Sequence, residues 1–112
     1  MPRYFELFDR LRRRVLEGPG ETPQGLRQAV AARAAAPAGL RLDGDAELPA
    51  LLEPFVEKLA LHAYKITDQD VARLLEAGYS QDEIFELSVA GAVGAGLARY
   101  RIGLAALAGE GR

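Results

Sequence analysis

Apolar positions in this chain recur every three or four residues, and no stretch alternates apolar with polar over the length of a strand. The pattern predicts an all-α protein, a compact bundle of about five helices in a single domain over residues 1–112. Tyr4, Leu7, Phe8, Leu11 and Val15 form one apolar stripe on a first helix from about Arg3 to Glu17, which Gly18-Pro19-Gly20 ends. A second helix starts at Thr22 with Pro23 in its first turn, buries Leu26 and Val30, and stops near Pro37-Ala38-Gly39. It is rich in alanine, a good helix former with little side chain to bury, so it is expected to have the weakest tertiary anchoring. A loop over Gly39–Leu48 leads to a third helix between Pro49 and Tyr64, whose wide apolar face (Leu51, Leu52, Phe55, Val56, Leu59, Ala63) suits a central position.

Two further helix starts are written in capping residues. Thr67 caps one, with Asp70 three residues on and Ile66 and Val71 as a hydrophobic staple. Ser80 caps the next, with Glu83 completing the capping box and Tyr79 placed to staple to Ile84. Gly78 between them fits the left-handed position past a helix end. The last helix then runs from Gln81 to about Leu107. Its middle is built of small residues, including Gly91, Gly94 and Gly96, each costing about 1 kcal/mol against alanine in a helix. The compensation expected is close approach of another helix to a flat groove of Ser88, Ala92 and Gly96, with Gly91 and Ala95 beside it. These five residues are the expected packing or interface positions.

Charge sharpens this picture only locally. Residues 1–41 hold eight Arg and four acids, a balance of +4; residues 42–112 hold six Lys or Arg and twelve acids, a balance of −6. The net charge is −2, so no global field draws the chain to nucleic acid or an anionic membrane. Arg10, Arg12, Arg13 and Arg14 read as a solvated helix face partly paired with Glu6, Asp9 and Glu17, with nucleic-acid binding as the lesser alternative. A helix-turn-helix reading of Thr67–Ala98 fails on charge, because Asp82, Glu83 and Glu86 would face phosphates. No apolar run is long enough to cross a membrane, and the N-terminus has no continuous apolar core of a signal peptide, so a cytoplasmic protein is expected.

Candidate chemistry is sparse. The chain contains no cysteine, which excludes thiol nucleophiles, dithiol redox chemistry, disulfides and thiolate metal sites. His62 is the sole histidine, near a helix end beside Tyr64 and Lys65. It reads first as a helix C-terminal residue and second as an acid–base group. Asp43, Asp45 and Glu47 lack the rest of a calcium loop and read as a solvated acidic loop. Gly91-x-x-Gly94-x-Gly96 has the wrong order for a dinucleotide fingerprint and follows no strand. No cofactor and no metal are expected.

Glu57-Lys58-Leu59, His62-Ala63-Tyr64-Lys65-Ile66-Thr67-Asp68-Gln69-Asp70-Val71 and Leu74-Leu75-Glu76-Ala77-Gly78-Tyr79-Ser80-Gln81-Asp82-Glu83-Ile84-Phe85-Glu86-Leu87 resemble the alkylhydroperoxidase D-like or carboxymuconolactone decarboxylase-like superfamily. The resemblance is strongest over residues 51–107. It implies an all-helical fold that assembles into homo-oligomers by burying helices between chains. The peroxidase branch works through a Glu, a Cys-x-x-Cys pair and a His, and that machinery does not carry over to a chain without cysteine. The expectation is therefore a short, non-redox branch acting as a binding or accessory protein that forms a homo-oligomer through the glycine-rich groove of its last helix. The alternative is a thiol-independent lyase or isomerase acting on a small carboxylate, with His62 as acid–base group and Tyr64, Lys65 or an arginine holding the anion.

Overall fold

Five α-helices carry most of the described residues in the computed structural model, which describes residues 3–42 and 47–107. They are α1 (Arg3–Glu17), α2 (Gln24–Ala35), α3 (Glu53–Leu61), α4 (Asp68–Glu76) and α5 (Gln81–Leu107), with short 3-10 turns at Ala36–Ala38, Ala50–Leu52 and Ala63–Lys65. Among the described residues there is no strand. The expected all-α bundle is therefore what forms.

The local signals act where the sequence puts them. Thr67 Oγ1 accepts from the Asp70 amide at 3.3 Å, while the Asp70 carboxylate accepts from the Thr67 amide at 2.9 Å. Ser80 and Glu83 repeat the exchange at 3.0 and 2.8 Å. Gly78 has φ +106°, the left-handed conformation that costs glycine least. Ile66, Val71 and Tyr79 pack against the core that includes Ile84.

Two expectations are corrected. The third helix does not reach Tyr64. Pro54, lacking an N–H, stands in the first turn of α3, after the short turn Ala50–Leu52, and at His62 (φ −148°, ψ 58°) the chain leaves the helix. The break turns the chain back, so that Lys58 Nζ reaches Asp70 Oδ2 at 2.8 Å. Three more helical residues would have carried it about 4.5 Å further along the axis.

The second correction concerns α2, which is the best buried of the first four helices rather than the most weakly anchored. Ala29, Val30, Ala31, Ala34 and Ala35 are all buried, Val30, Ala31 and Ala35 completely. The reason is the partner. α5 presents Ala90, Gly91, Gly94, Ala95 and Ala98 as buried positions, and its backbone comes against that of α2. A Cβ on Gly94 would collide with the Ala31 carbonyl, and one on Gly91 would stand 3.1 Å from Leu59 Cδ1. Small residues on both helices let the axes approach, and dispersion between backbones replaces dispersion between side chains. Leu52, Phe55, Val56, Leu74, Ile84 and Leu87 complete the core around this contact.

The molecule is elongated, 48 × 28 × 23 Å. α5 accounts for much of the long axis, since 27 residues span about 40 Å. Phe8 of α1 stacks on Tyr100 of α5 with ring centroids 5.4 Å apart, so these two helices run on together at one end.

The α2–α5 contact predicts the cost of filling it. Gly94→Ala is expected to destabilise the protein by at least about 2 kcal/mol in urea unfolding, because backbone must move to admit the methyl group. Gly103→Ala, at a helical glycine with open space around it, should instead stabilise by up to about 1 kcal/mol.

Candidate functional site

The three residues put forward for acid–base chemistry do not form a pocket. His62, Tyr64 and Lys65 are all exposed, Tyr64 to 82 %. The His62 and Tyr64 rings meet edge to face at 6.0 Å, with Lys65 Nζ 5.9 Å from the Tyr64 ring centre. The His62 amide donates to the Lys58 carbonyl at 2.7 Å, the last bond of the α3 ladder, and the residue stands at the end of that helix. Any chemistry here would take place in open water, with nothing to exclude solvent from a reacting group.

The five expected packing positions divide between two sides of α5. Gly91 and Ala95 are buried against the chain's own helices, Gly91 beside Leu59 and Val30. Gly96 is half-buried under Phe8, with the ring edge 3.7 Å from where a Cβ would stand. Ser88 is half-buried and returns its hydroxyl to the Ile84 carbonyl at 2.8 Å. Ala92 is exposed. Asp43 and Asp45 of the acidic loop lie outside the described residues, and Glu47 is exposed.

The most organised polar group in the molecule was not singled out from the sequence. Arg27 of α2 is 3 % exposed. Its Nη1 donates to the Val15 carbonyl and its Nη2 to the Gly18 carbonyl, both at 2.6 Å, which satisfies carbonyls at the end of α1. Its Nε has no hydrogen-bond partner but lies 3.5 Å from Glu86 Oε1 of α5. Glu86 in turn accepts from the amides of Glu21 and Thr22, each at 2.8 Å, and from the Thr22 hydroxyl. Thr22 thus spends its side chain on α5 and not on the start of its own helix, which begins two residues later without a side-chain cap. Partial burial pushes the Glu86 carboxyl up. The hydrogen bonds from Thr22 and from the two amides, helped by Arg27, outweigh it and hold the group below the ordinary glutamate range. One arginine and one carboxylate therefore tie α1, α2, the turn between them and α5 together. Every polar atom of the cluster but Arg27 Nε is spent within the chain, so the cluster is a structural tie.

The signal that could have found Arg27 is its register. It stands three, four and seven residues before Val30, Ala31 and Ala34, which places it on the buried face of α2.

Two clefts open beside this tie. One of about 360 Å³ is walled by Val15, Pro19, Phe85 and Val89 over Arg27 and Glu86, with Phe85 71 % exposed. The other, about 280 Å³, lies between α1, α2, the segment after α2 and α5, and carries Arg12, Arg41 and Arg101. Along α1, Asp9 pairs with Arg12 at 3.0 Å and with Arg13, and Arg12 also meets Glu17 at 3.5 Å. This is the internal pairing expected of that face. The Arg12 and Arg13 hydrogen bonds hold the Asp9 carboxyl below its usual range. Hydrogen bonding to Lys58, and then to the Thr67 amide, lowers Asp70 to about 2. No helix of the described residues is long and apolar enough to cross a membrane.

Comparison with family models, with curated proteins and with solved structures found no match to this chain.

Two outcomes follow from these groups. Arg27→Ala removes the only buried cation among the described residues and strands the Val15 and Gly18 carbonyls and the Glu86 carboxylate. It should cost about 3 kcal/mol in chemical unfolding, and Arg27→Lys should recover only part of it. The depressed carboxylates set the acid limb. A group bound more weakly by protons when folded contributes stability above its unfolded value of about 4 and loses it as pH falls towards its folded value. For Asp70 that window runs from about pH 4 to about pH 2. The melting temperature should therefore fall through that range, and less steeply in Asp70→Asn.

Proposed function

We propose that this chain is a non-redox helical binding or accessory protein that acts as a homo-oligomer, assembled through the end of the molecule where α1 and α5 run together. The observation that carries this reading is the uncovered apolar surface there. Leu7 and Leu11, one turn apart on α1, are 51 % and 50 % exposed. Ile102 and Leu107 on the last turns of α5 are 50 % and 86 % exposed. Single exposed leucines are ordinary, but four large apolar side chains left exposed on two helices that meet at Phe8 and Tyr100 are a surface that self-association would cover. A second copy is the occupant that fits. An isologous pairing sets the same α1–α5 end of one chain against that of the other, burying all eight side chains at once. The arginines of α1 then remain at the rim, where Asp9 and Glu17 already neutralise part of their charge.

The reading includes kinship with the alkylhydroperoxidase D-like superfamily, whose members assemble through helices. That kinship is supported by the residue cadence over 57–87 and by the all-helical fold. With no cysteine in the chain, the thiol chemistry of the peroxidase branch is absent from it.

Sedimentation equilibrium or light scattering after size exclusion tests the assembly. The expected mass at micromolar concentration is an integral multiple of the 12.1 kDa chain. Leu7→Glu with Leu11→Glu, which places charge in the patch without touching the core, should return a folded monomer. A wild-type chain that stays monomeric at micromolar concentration overturns the reading.

A further inference from the structure

We infer that the cleft carrying Arg12, Arg41 and Arg101 is a binding site for a small organic carboxylate. It stands independently of self-association.

The cleft has a floor and a rim of different chemistry. Leu16 of α1 and Leu97 of α5 form the floor and are themselves 5 % and 3 % exposed, so the floor belongs to the packed interior and does not collapse or open freely. Among the described residues the rim holds three guanidiniums and a single carboxylate, Glu17. Glu17 is already turned to Arg12 at 3.5 Å, and Arg12 also donates to Asp9 at 3.0 and 3.2 Å. Arg12 is thereby fixed in place with its charge balanced. Arg41 and Arg101 have no ion-pair partner among the described residues. They supply the excess positive charge of the cleft from opposite ends of the sequence.

Arg41 is not an idle loop residue. Gly39, at φ +92°, turns the chain after α2, and Leu42 packs against the core, so the backbone on both sides of Arg41 is tacked down over the cleft. Gln28 of α2 also lines the site, a residue type with neutral donors.

A guanidinium fork matches a carboxylate in two parallel hydrogen bonds, and two forks facing one cleft select a planar anion over a neutral isostere. The volume of about 280 Å³ lies at the small end of ligand cavities. The leucines beneath are too buried to offer a ligand much apolar surface, so the fit of a planar carboxylate to the guanidinium forks is what would favour it over a tetrahedral anion such as inorganic phosphate.

The test is a titration of the isotope-labelled full chain by amide-resolved NMR, with sodium benzoate, benzyl alcohol and inorganic phosphate as probes. Benzoate should give saturable shifts centred on Leu16, Leu42 and Leu97, with a dissociation constant of order 1 mM and weaker binding as salt is raised. Benzyl alcohol should not saturate. Arg41→Ala and Arg101→Ala, both at exposed positions, should each weaken benzoate by about tenfold. Arg14→Ala, outside the cleft, should leave it unchanged. The site is refuted if benzoate gives no saturable shift, if benzyl alcohol binds equally well, if phosphate binds more tightly than benzoate, or if both cleft variants keep the wild-type affinity. A monomeric chain that binds benzoate would remove the assembly and keep the site; an oligomer that ignores benzoate would do the reverse.

Discussion

The approach of two helix backbones, α2 at Ala31 and α5 at Gly94, is the constraint around which this small protein is arranged. Neither helix has the side chains to make a core by itself. Alanine on one and glycine on the other become useful only when the helices are pressed together, where atoms of the main chain make the contacts that leucines make elsewhere. Once that pair is set, α3 lays Phe55, Val56 and Ala60 along its side and α4 adds Leu74. The bulky residues thus surround the close contact.

The Arg27–Glu86 tie sits at one end of this pair and does what apolar packing there cannot. The turn Gly18–Thr22 has amides and carbonyls to satisfy, and two side chains of opposite charge satisfy three of them together with the Val15 carbonyl of α1. Such a tie adds little stability over a well-packed apolar substitute, but it fixes geometry, because every member depends on the others being in place.

How much of this was legible depends on distance along the chain. The capping boxes at Thr67 and Ser80, the left-handed Gly78 and the bounds of α1 and α5 are decided within a few residues, and the sequence displays them. The glycines of α5 announced that something would come close to them. What came close lies 63 positions earlier in a helix whose small side chains led it to be expected as the most weakly anchored, and alanine content alone does not distinguish a poor packer from a close one. The break at His62 was missed because it serves a contact, Lys58 with Asp70, that appears only once the chain has folded back. Arg27 and Glu86 were passed over because charged residues in helices are usually at the surface. The arginine cleft was hidden for a related reason: Arg12, Arg41 and Arg101 come from three separate segments, and only the fold sets them around one opening.

The long separation between Ala31 and Gly94 also bears on how the protein is made. A ribosome delivers α1 and α2 first, well before the glycine-rich face they need. Until α5 emerges, Arg27 has no Glu86, the alanine face of α2 has nothing to press against, and the nascent chain has no cooperative unit to form. Folding therefore waits for α5, and until then the eight arginines of the first forty-one residues give that segment a net positive charge that opposes its self-association.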